Sequence, residues 1–187
     1  MRYKSYSKPV LQNLFNLLET ELRDIIQRVP LEKNQFLLEP GQRARYYYYL
    51  CEGLLVNYYL DKGREVVTTF TFPDDIIADF KSAIFKIPSD CYILSLAEGW
   101  AYRLSISDFD EYKARNPLIL AAERELIAAY ALLLEERLYF LQHKTAKERY
   151  CFLLENYPEF IHYIPLKYIA SYLGITLETL SRLRSEL

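Results

Sequence analysis

Apolar residues follow different spacings along the chain. Between Pro9 and Val29 they recur every three or four positions, which predicts an N-terminal helix that Pro30 ends. From residue 31 to about residue 103 they fall in short runs rich in Val, Thr, Tyr and Phe, with turn residues between the runs. Many short strands at this spacing predict a sandwich, roll or barrel. The runs cover residues 35–38, 46–50, 54–60, 65–72, 92–96 and 100–104.

Two short helices are predicted beside these strands. Residues 76–85 have a helical pattern between two aspartates and Pro88, and a small helix inserted into a β-roll is a common place for a ligand. Asp108 is expected to cap a second helix that ends before Pro117.

A long helix is predicted from Pro117 to Gln142. At 1.5 Å per residue it would span roughly 39 Å, which is more than a small domain needs. Apolar residues at alternating steps of three and four form a row that can pair with a copy of itself. The helix is apolar around much of its girth, so packing on the protein's own β-domain is equally compatible with the sequence. The row consists of Ile119, Ala122, Leu126, Ala129, Leu133 and Phe140.

The last residues, Ile164 to Leu187, have the pattern of a helix-turn-helix. Pro165 opens the first helix, where its missing N–H costs nothing. Gly174 supplies the turn, and Thr176 is placed to cap the second helix. Helical spacing turns three residues inward, namely Leu180, Leu183 and Leu187. The outer face is left with Leu177, Glu178, Ser181, Arg182 and Ser185. A packing αα-corner without a DNA-binding role is the alternative.

Composition and charge limit the classes of function that the chain can have. The chain has 187 residues, 51% of them hydrophobic, which is ample for a core. Its net charge of −2 does not attract phosphates, so binding to DNA would need a locally basic surface. We find no nucleophile–base pair, Gly-rich phosphate loop or H-E-x-x-H motif, and we do not expect an enzyme.

Cysteines and hydropathy indicate a cytoplasmic protein. Cys51, Cys91 and Cys151 form no C-x-x-C pair, so neither a zinc ribbon nor a redox motif is available, and no metal site is predicted. The N-terminus lacks the apolar run of a secretion signal, and no stretch reaches the roughly 20 apolar residues of a membrane span. We therefore expect no membrane partner.

Four motifs carry a resemblance that covers nearly the whole chain. They are Glu39-Pro40-Gly41-Gln42, Leu50-Cys51-Glu52-Gly53-Leu54, Phe72-Pro73-Asp74-Asp75-Ile76-Ile77 and, most specifically, Ile169 to Arg184. With this order of elements the chain resembles the Crp–Fnr family of bacterial transcription regulators. The resemblance implies an α+β fold with an N-terminal antiparallel β-roll of the cyclic-nucleotide-binding type, a long dimerisation helix and a C-terminal helix-turn-helix. It divides the chain into residues 1–116, 117–142 and 143–187.

The sequence departs from the family pattern at the nucleotide pocket. Family members that bind cyclic AMP carry a Gly-Glu pair at the start of the inserted helix and an arginine about ten residues later. Those places fall on Ala78 and Asp79, and then on Ser89 and Asp90. Neither Ser89 nor Asp90 can neutralise a phosphate, and Asp90 would repel one. We expect the fold of the site without its cyclic AMP chemistry, no cofactor, and an effector that the sequence does not identify.

The resemblance also assigns DNA contacts. The positions of Glu178 and Arg182 contact bases in the family, and an arginine that makes a third base contact is here Leu177. Arginine can hold a guanine edge with two hydrogen bonds and glutamate can accept from the cytosine amino group, whereas leucine touches only a thymine methyl. The candidates for phosphate contacts are Lys167, Thr176, Thr179 and Arg184.

The sequence therefore predicts a dimeric, sequence-specific transcription regulator. Its expected partners are double-stranded DNA and a second copy of itself, with RNA polymerase and a small-molecule effector as further candidates. The alternative is a β-roll module that senses a small molecule or a partner and does not bind DNA. The β-hairpin wing found in much of the family is not visible before Leu187, so either the protein is wingless or this sequence is cut short.

Overall fold

The computed structural model describes residue 13 and residues 16–17, 19–159 and 161–186. Within these residues six strands form one antiparallel sheet in the order β1-β6-β3-β4, with β2 also paired to β6 and β5 to β3. The predicted antiparallel β-roll and the α+β class are confirmed. The strands are β1 (Ile26–Leu31), β2 (Phe36–Leu38), β3 (Tyr46–Asp61), β4 (Arg64–Thr71), β5 (Ile76–Ile77) and β6 (Cys91–Ser105).

Six helices accompany the sheet between residues 80 and 185. The long third helix has 27 residues and extends roughly 40 Å. Thr145 and Glu148 form a capping box at the start of the fourth helix. The helices are α1 (Phe80–Phe85), α2 (Ile106–Lys113), α3 (Pro117–His143), α4 (Ala146–Asn156), α5 (Leu166–Leu173) and α6 (Leu177–Ser185).

The N-terminal helix ends earlier than the spacing predicts. Residues 13, 16, 17, 19 and 20 are helical, residues 21–25 form turns, and strand β1 begins at Ile26. Pro30 lies inside β1 opposite Trp100, because a strand at the end of the sheet tolerates a residue without an N–H. The predicted start at Pro9 lies outside the described residues.

Two predicted turns are instead irregularities within continuous strands. The sequence predicts turns at Glu52-Gly53 and Glu98-Gly99, but β3 and β6 pass through both places and pair there with shifts of register. Gly53 adopts φ 108°, which favours glycine. A Cβ on Gly99 would overlap the backbone carbonyl of Glu52. These two glycines let the longest strands of the sheet, which pair side by side, approach closely where their register shifts.

The inserted segment and the second short helix also differ from prediction. Ile76 and Ile77 form strand β5 and pair with Tyr49 and Tyr48, so the helix begins only at Phe80. The cap of α2 is Ser105, whose hydroxyl accepts the Asp108 backbone N–H at 3.4 Å. Asp108 therefore lies in the first turn, where the helix dipole stabilises its negative charge.

One hydrophobic cluster joins the β-roll to the helix-turn-helix. Phe72 stacks on Tyr157 with ring centroids 3.9 Å apart, and Phe70 lies 5.0 Å from Tyr172. Fully buried side chains of both regions belong to this cluster, including Leu54, Val56, Leu153, Ile169, Leu173 and Leu180. One hydrophobic core thus contains residues from both sides of the domain boundary predicted at residue 143. The helix pair packs on the sheet. None of the described helices is long and apolar enough to cross a membrane.

Candidate nucleic-acid interface

Helices α5 and α6 meet at a tight turn built on Gly174. This residue has φ 64° and ψ 38°, and its N–H donates to the Ser171 carbonyl at 3.0 Å. The Ile175 N–H closes the turn by donating to the Ala170 carbonyl, also at 3.0 Å. A left-handed residue at the helix end is the geometry that the glycine predicts. Pro165 precedes the helix as its N-cap, one residue before the predicted start.

Helix α6 is fixed at one end by a cap and along one side by leucines. The Thr176 hydroxyl accepts the Thr179 backbone N–H at 3.2 Å, as predicted. Leu180 is fully buried and Leu183 is 8% exposed, so both face the core. Leu187 lies outside the described residues.

The opposite side of α6 is exposed and chemically suited to base edges. Leu177 is 46% exposed, and Glu178 and Arg182 are exposed one turn apart on the same face. Ser181 and Ser185 are exposed as well. A hydrogen bond from its own backbone N–H, and then one from the Thr176 hydroxyl, lower the pKa of Glu178, so it is an acceptor at neutral pH.

The four residues predicted to contact phosphates differ in their exposure and in their hydrogen-bond and ionic partners. Arg184 is exposed near the end of α6. The Thr176 and Thr179 hydroxyls lie 3.2 Å apart and are hydrogen-bonded to each other. Lys167 already has an anionic partner, because its Nζ lies 2.6 Å from a carboxylate oxygen of Glu65 on β4.

A cavity of about 1010 Å³ lies in the β-roll beside α1. Of the four predicted pocket residues, only Asp79 lines it. The basic lining residues were missed because they follow a turn that suggested no ligand chemistry: Arg43 and Arg45 come directly after Gly41-Gln42. Lys86 also lines the cavity, and its Nζ lies 2.8 Å from Asp110.

The four predicted pocket residues are occupied by structural contacts. Asp79 caps α1 by accepting the Ser82 N–H at 3.1 Å. The buried Ser89 hydroxyl accepts the Cys91 N–H at 2.9 Å, and Asp90 pairs with Lys81 at 2.6 Å. Ala78 is buried and does not line the cavity. Only Asp79, of the predicted set, is therefore placed to meet a ligand, and one of its carboxylate oxygens already caps α1.

The row predicted to face a second copy packs instead within the same chain. Ile119, Ala129 and Phe140 are buried, at 1%, 7% and 2% exposure. Leu126 lines a small apolar cavity against the β-roll, and Ala122 and Leu133 are half-buried. The seam prediction is corrected here, because burying this row against the protomer's own core leaves it unavailable to a partner in this arrangement.

A second apolar row of α3 is exposed and was missed. Leu120, Ile127 and Leu134 recur every seven residues and are 48%, 51% and 51% exposed. Leu138 and Leu141 continue the row at 55% and 36% exposure. A seven-residue repeat is the signature of a helix that pairs with another helix. The signal was present in the sequence, but α3 carries apolar residues on several sides and spacing alone does not rank them.

The cysteines do not form a cluster. Cys51, Cys91 and Cys151 are free and partly buried. Burial raises the pKa of Cys51 to about 11, so this thiol is protonated and unreactive at neutral pH. Among the described residues no group of three or more His, Cys, Asp or Glu side chains could hold a metal ion.

Comparison with known proteins shows which proteins resemble this chain in sequence and in fold. No protein-family model matches the chain. The regulatory protein HlyX of Actinobacillus pleuropneumoniae is 25% identical over 177 residues, which are 88% of this chain and 73% of the relative. FixK2 from Bradyrhizobium japonicum superposes with a TM-score of 0.68 at 24% identity, over 87% of this chain and 84% of that one. A protein from Eubacterium rectale, described as a transcriptional regulator of the Crp/Fnr family, has a TM-score of 0.70 at 18% identity, over 92% and 83%.

The chain is similar in sequence to a regulatory protein and shares its fold with a transcriptional regulator of the Crp/Fnr family. The resemblance seen in the sequence is confirmed, and so is the prediction of a regulator, because these relatives are regulatory proteins rather than enzymes. Within this fold, the face of α6 with Glu178 and Arg182 is exposed, and Arg43 and Arg45 line the β-roll cavity.

Proposed function

We propose that this Crp–Fnr protein is a homodimeric transcription regulator that binds duplex DNA through α6. The observation that carries the proposal is the division of α6 into two faces. Leu180 and Leu183 are buried beneath it, while Glu178 and Arg182 project outward from consecutive turns. A short helix held from below with charged groups above is suited to insertion into the major groove.

Base specificity is assigned to three exposed side chains. Arg182 donates to a guanine edge and Glu178 accepts from a cytosine amino group. Leu177 makes only apolar contact, which favours a thymine methyl at its position. The preferred site therefore differs from that of family members with an arginine at this place.

Phosphate binding rests on a small local excess of positive charge. From Ile164 to Leu187 the chain has three cations and two anions, whereas the whole chain has a net charge of −2. Arg184 and Lys167 are the cations assigned to the DNA backbone, although Lys167 also pairs with Glu65, and the Thr176 and Thr179 hydroxyls can donate to phosphates. DNA affinity is expected to fall as salt is raised, with a slope set by the number of phosphate contacts. Because the segment has few cations, we expect that slope to be small.

The second copy is assigned to the exposed row of α3. Leu120, Ile127, Leu134, Leu138 and Leu141 give a seam of large aliphatic residues at heptad-like spacing. Two copies paired along it would present two α6 helices, and a symmetric dimer reads a palindromic site.

The effector is proposed to be a small molecule other than cyclic AMP, bound in the basic cavity of the β-roll. Arg43 and Arg45 favour an anionic group, but the positions of the family's phosphate contact hold Ser89 and Asp90. Native mass spectrometry of the purified protein would identify a retained ligand.

The test of the DNA-binding function is selection from a random pool of duplexes. We expect recovery of a palindromic sequence whose complex weakens as salt is raised. Failure to retain any duplex at low salt would favour the alternative, a β-roll sensing module that does not bind DNA. Light scattering of the same sample reports whether it is a dimer.

A further inference from the structure

Glu65 of strand β4 holds the first turn of α5. Its carboxylate accepts from Lys167 Nζ, with distances of 2.8 Å to Oε1 and 2.6 Å to Oε2. The Tyr168 hydroxyl donates to Oε1 at 3.4 Å. Lys167 also lies over the Tyr168 ring, 4.7 Å from its centroid. The helix-turn-helix thus meets an anion that belongs to the β-roll.

Ser171, one turn further along α5, is hydrogen-bonded to the backbone of the same strand. Its Oγ accepts the Val67 N–H at 2.9 Å and donates to the Glu65 carbonyl at 2.8 Å. Among the described strands, β4 is at the end of the sheet order. Ser171 therefore fixes α5 along this strand and keeps Lys167 within reach of the Glu65 side chain.

The Lys167 ammonium cannot bind both the Glu65 carboxylate and a DNA phosphate as strongly as it binds either one alone. In a helix-turn-helix the first helix approaches the DNA backbone, which makes the Lys167 ammonium a phosphate ligand. A phosphate beside this ammonium would also approach the negative charge of Glu65 and be repelled by it. The docked arrangement therefore weakens the phosphate contact of Lys167.

We propose that Glu65 competes within the molecule with DNA phosphate for Lys167, and that Ser171 holds α5 in the position where this competition occurs. The inference rests on the proposed DNA-binding function and adds its regulation. An event that separates β4 from α5 frees Lys167 and raises the affinity for duplex DNA of any sequence, because a phosphate contact carries no base information.

The expected effect is moderate because the pair is partly solvated. The Lys167 side chain is 55% exposed and that of Glu65 is 28% exposed. Partly exposed ion pairs are weak, so Glu65→Gln should tighten DNA binding about twofold to fivefold at low salt. The slope of log K against log salt should become steeper by up to about 0.9, the value for one phosphate contact.

A double-mutant cycle separates local competition from a change in overall charge. Affinity for the selected duplex is measured for the native protein, Glu65→Gln, Lys167→Ala and the double variant. We expect Glu65→Gln to tighten binding only when Lys167 is present. If it tightens binding equally in the Lys167→Ala background, the effect acts at long range and the proposal is overturned. Asp61→Asn, a nearby exposed carboxylate, is the matched charge control and should change affinity less than Glu65→Gln.

Ser171→Ala tests the position of α5 without changing any charge. We expect faster hydrogen exchange at the Val67 amide and tighter DNA binding, with Ser181→Ala on the exposed face of α6 as the control for exchange. Unchanged exchange at Val67 would show that the contact does not form in solution, which overturns the proposal. If no variant and no native protein binds duplex DNA, the proposed function itself fails, whereas native binding that is insensitive to Glu65 defeats only this inference.

Discussion

The α-carbon of Gly99 lies directly against the backbone of Glu52, where the pairing of β3 with β6 shifts register. A Cβ on residue 99 would overlap the Glu52 carbonyl and come within 2.8 Å of the Gly53 nitrogen. Both neighbours are backbone atoms, so neither can turn aside as a side chain would. The two strands are the longest in the sheet, so the pairing of a large part of the β-roll depends on this close approach.

Gly99→Ala is therefore expected to destabilise the protein strongly. The clash forces two strands apart at the centre of the sheet, and overpacking of this kind typically costs about 1–3 kcal/mol or more. Thermal unfolding gives the change. Gly41→Ala is the matched control, since Gly41 has φ 86° with nothing within 4 Å of an added Cβ, and only backbone strain of about 1 kcal/mol is expected there. Equal effects of the two variants would contradict the close-approach argument.

Arg182→Ala should remove one base preference. The expected loss is about 1–3 kcal/mol on the selected site, with base selection flattened at one position in each half-site. Arg184→Ala on the same helix is the control: it should weaken all sequences alike and lower the salt slope by about one. If Arg182→Ala and the native protein select identical sequences from a random pool, Arg182 is a structural cation at the helix end.

Leu134→Glu should convert the dimer to monomers. The substitution places a charge in the middle of the exposed row of α3, where a second copy would bury it without a partner. Leu132→Glu is the matched control, because two residues along a helix turn it to nearly the opposite side. Light scattering at micromolar concentration distinguishes the outcomes. A native protein that is monomeric at micromolar concentration would contradict the proposed dimer.

Cyclic AMP should bind weakly or not at all. The position of the family's phosphate partner is occupied by Ser89, which is buried and hydrogen-bonded to Cys91, and by Asp90, which pairs with Lys81. A phosphate entering there forgoes charge-assisted hydrogen bonds of about 1.5–3 kcal/mol each. Calorimetry is the measurement, and a micromolar dissociation constant would refute the expectation.

The capping box of α4 should make the protein sensitive to acid. Hydrogen bonds from the Thr145 backbone N–H, then its hydroxyl, and then Lys144, lower the pKa of Glu148 from 4.5 to about 2. Because the pKa is lower in the folded state, the stabilisation is complete above about pH 4.5 and is lost as the pH falls towards 2.

Glu148→Gln measures this contribution because glutamine keeps an acceptor but does not titrate. The difference in melting temperature between the native protein and the variant should shrink between neutral pH and about pH 3. A difference that does not change with pH would show that the carboxylate charge does not stabilise the cap.

The parts that were predicted correctly depend on local chemistry. Gly174 must follow α5 because the turn needs a left-handed residue, and Thr176 must cap α6 because its hydroxyl reaches Thr179. Such signals lie within a few residues of one another and need no knowledge of the rest of the fold. The helix-turn-helix and its exposed face could therefore be located from the sequence.

The parts that were missed depend on distant partners. Ile26 continues the helical spacing before it, and only its pairing with Leu104 makes it a strand. Helix α3 is apolar on several sides, so the sequence does not say that Ile119 packs inward and Leu120 outward. The contact between Lys167 and Glu65 spans 102 residues of chain and has no local signature at all.

The position of Ser171 against β4 has a further consequence for solubility. A strand at the end of a sheet offers unpaired backbone groups to any other extended chain, which is a common start of aggregation. Here α5 of the helix-turn-helix covers part of that edge, and Ser171 accepts the Val67 N–H. A molecule whose helix-turn-helix is removed or released would expose this edge, so packing of the helix pair on β4 also limits self-association of the sheet.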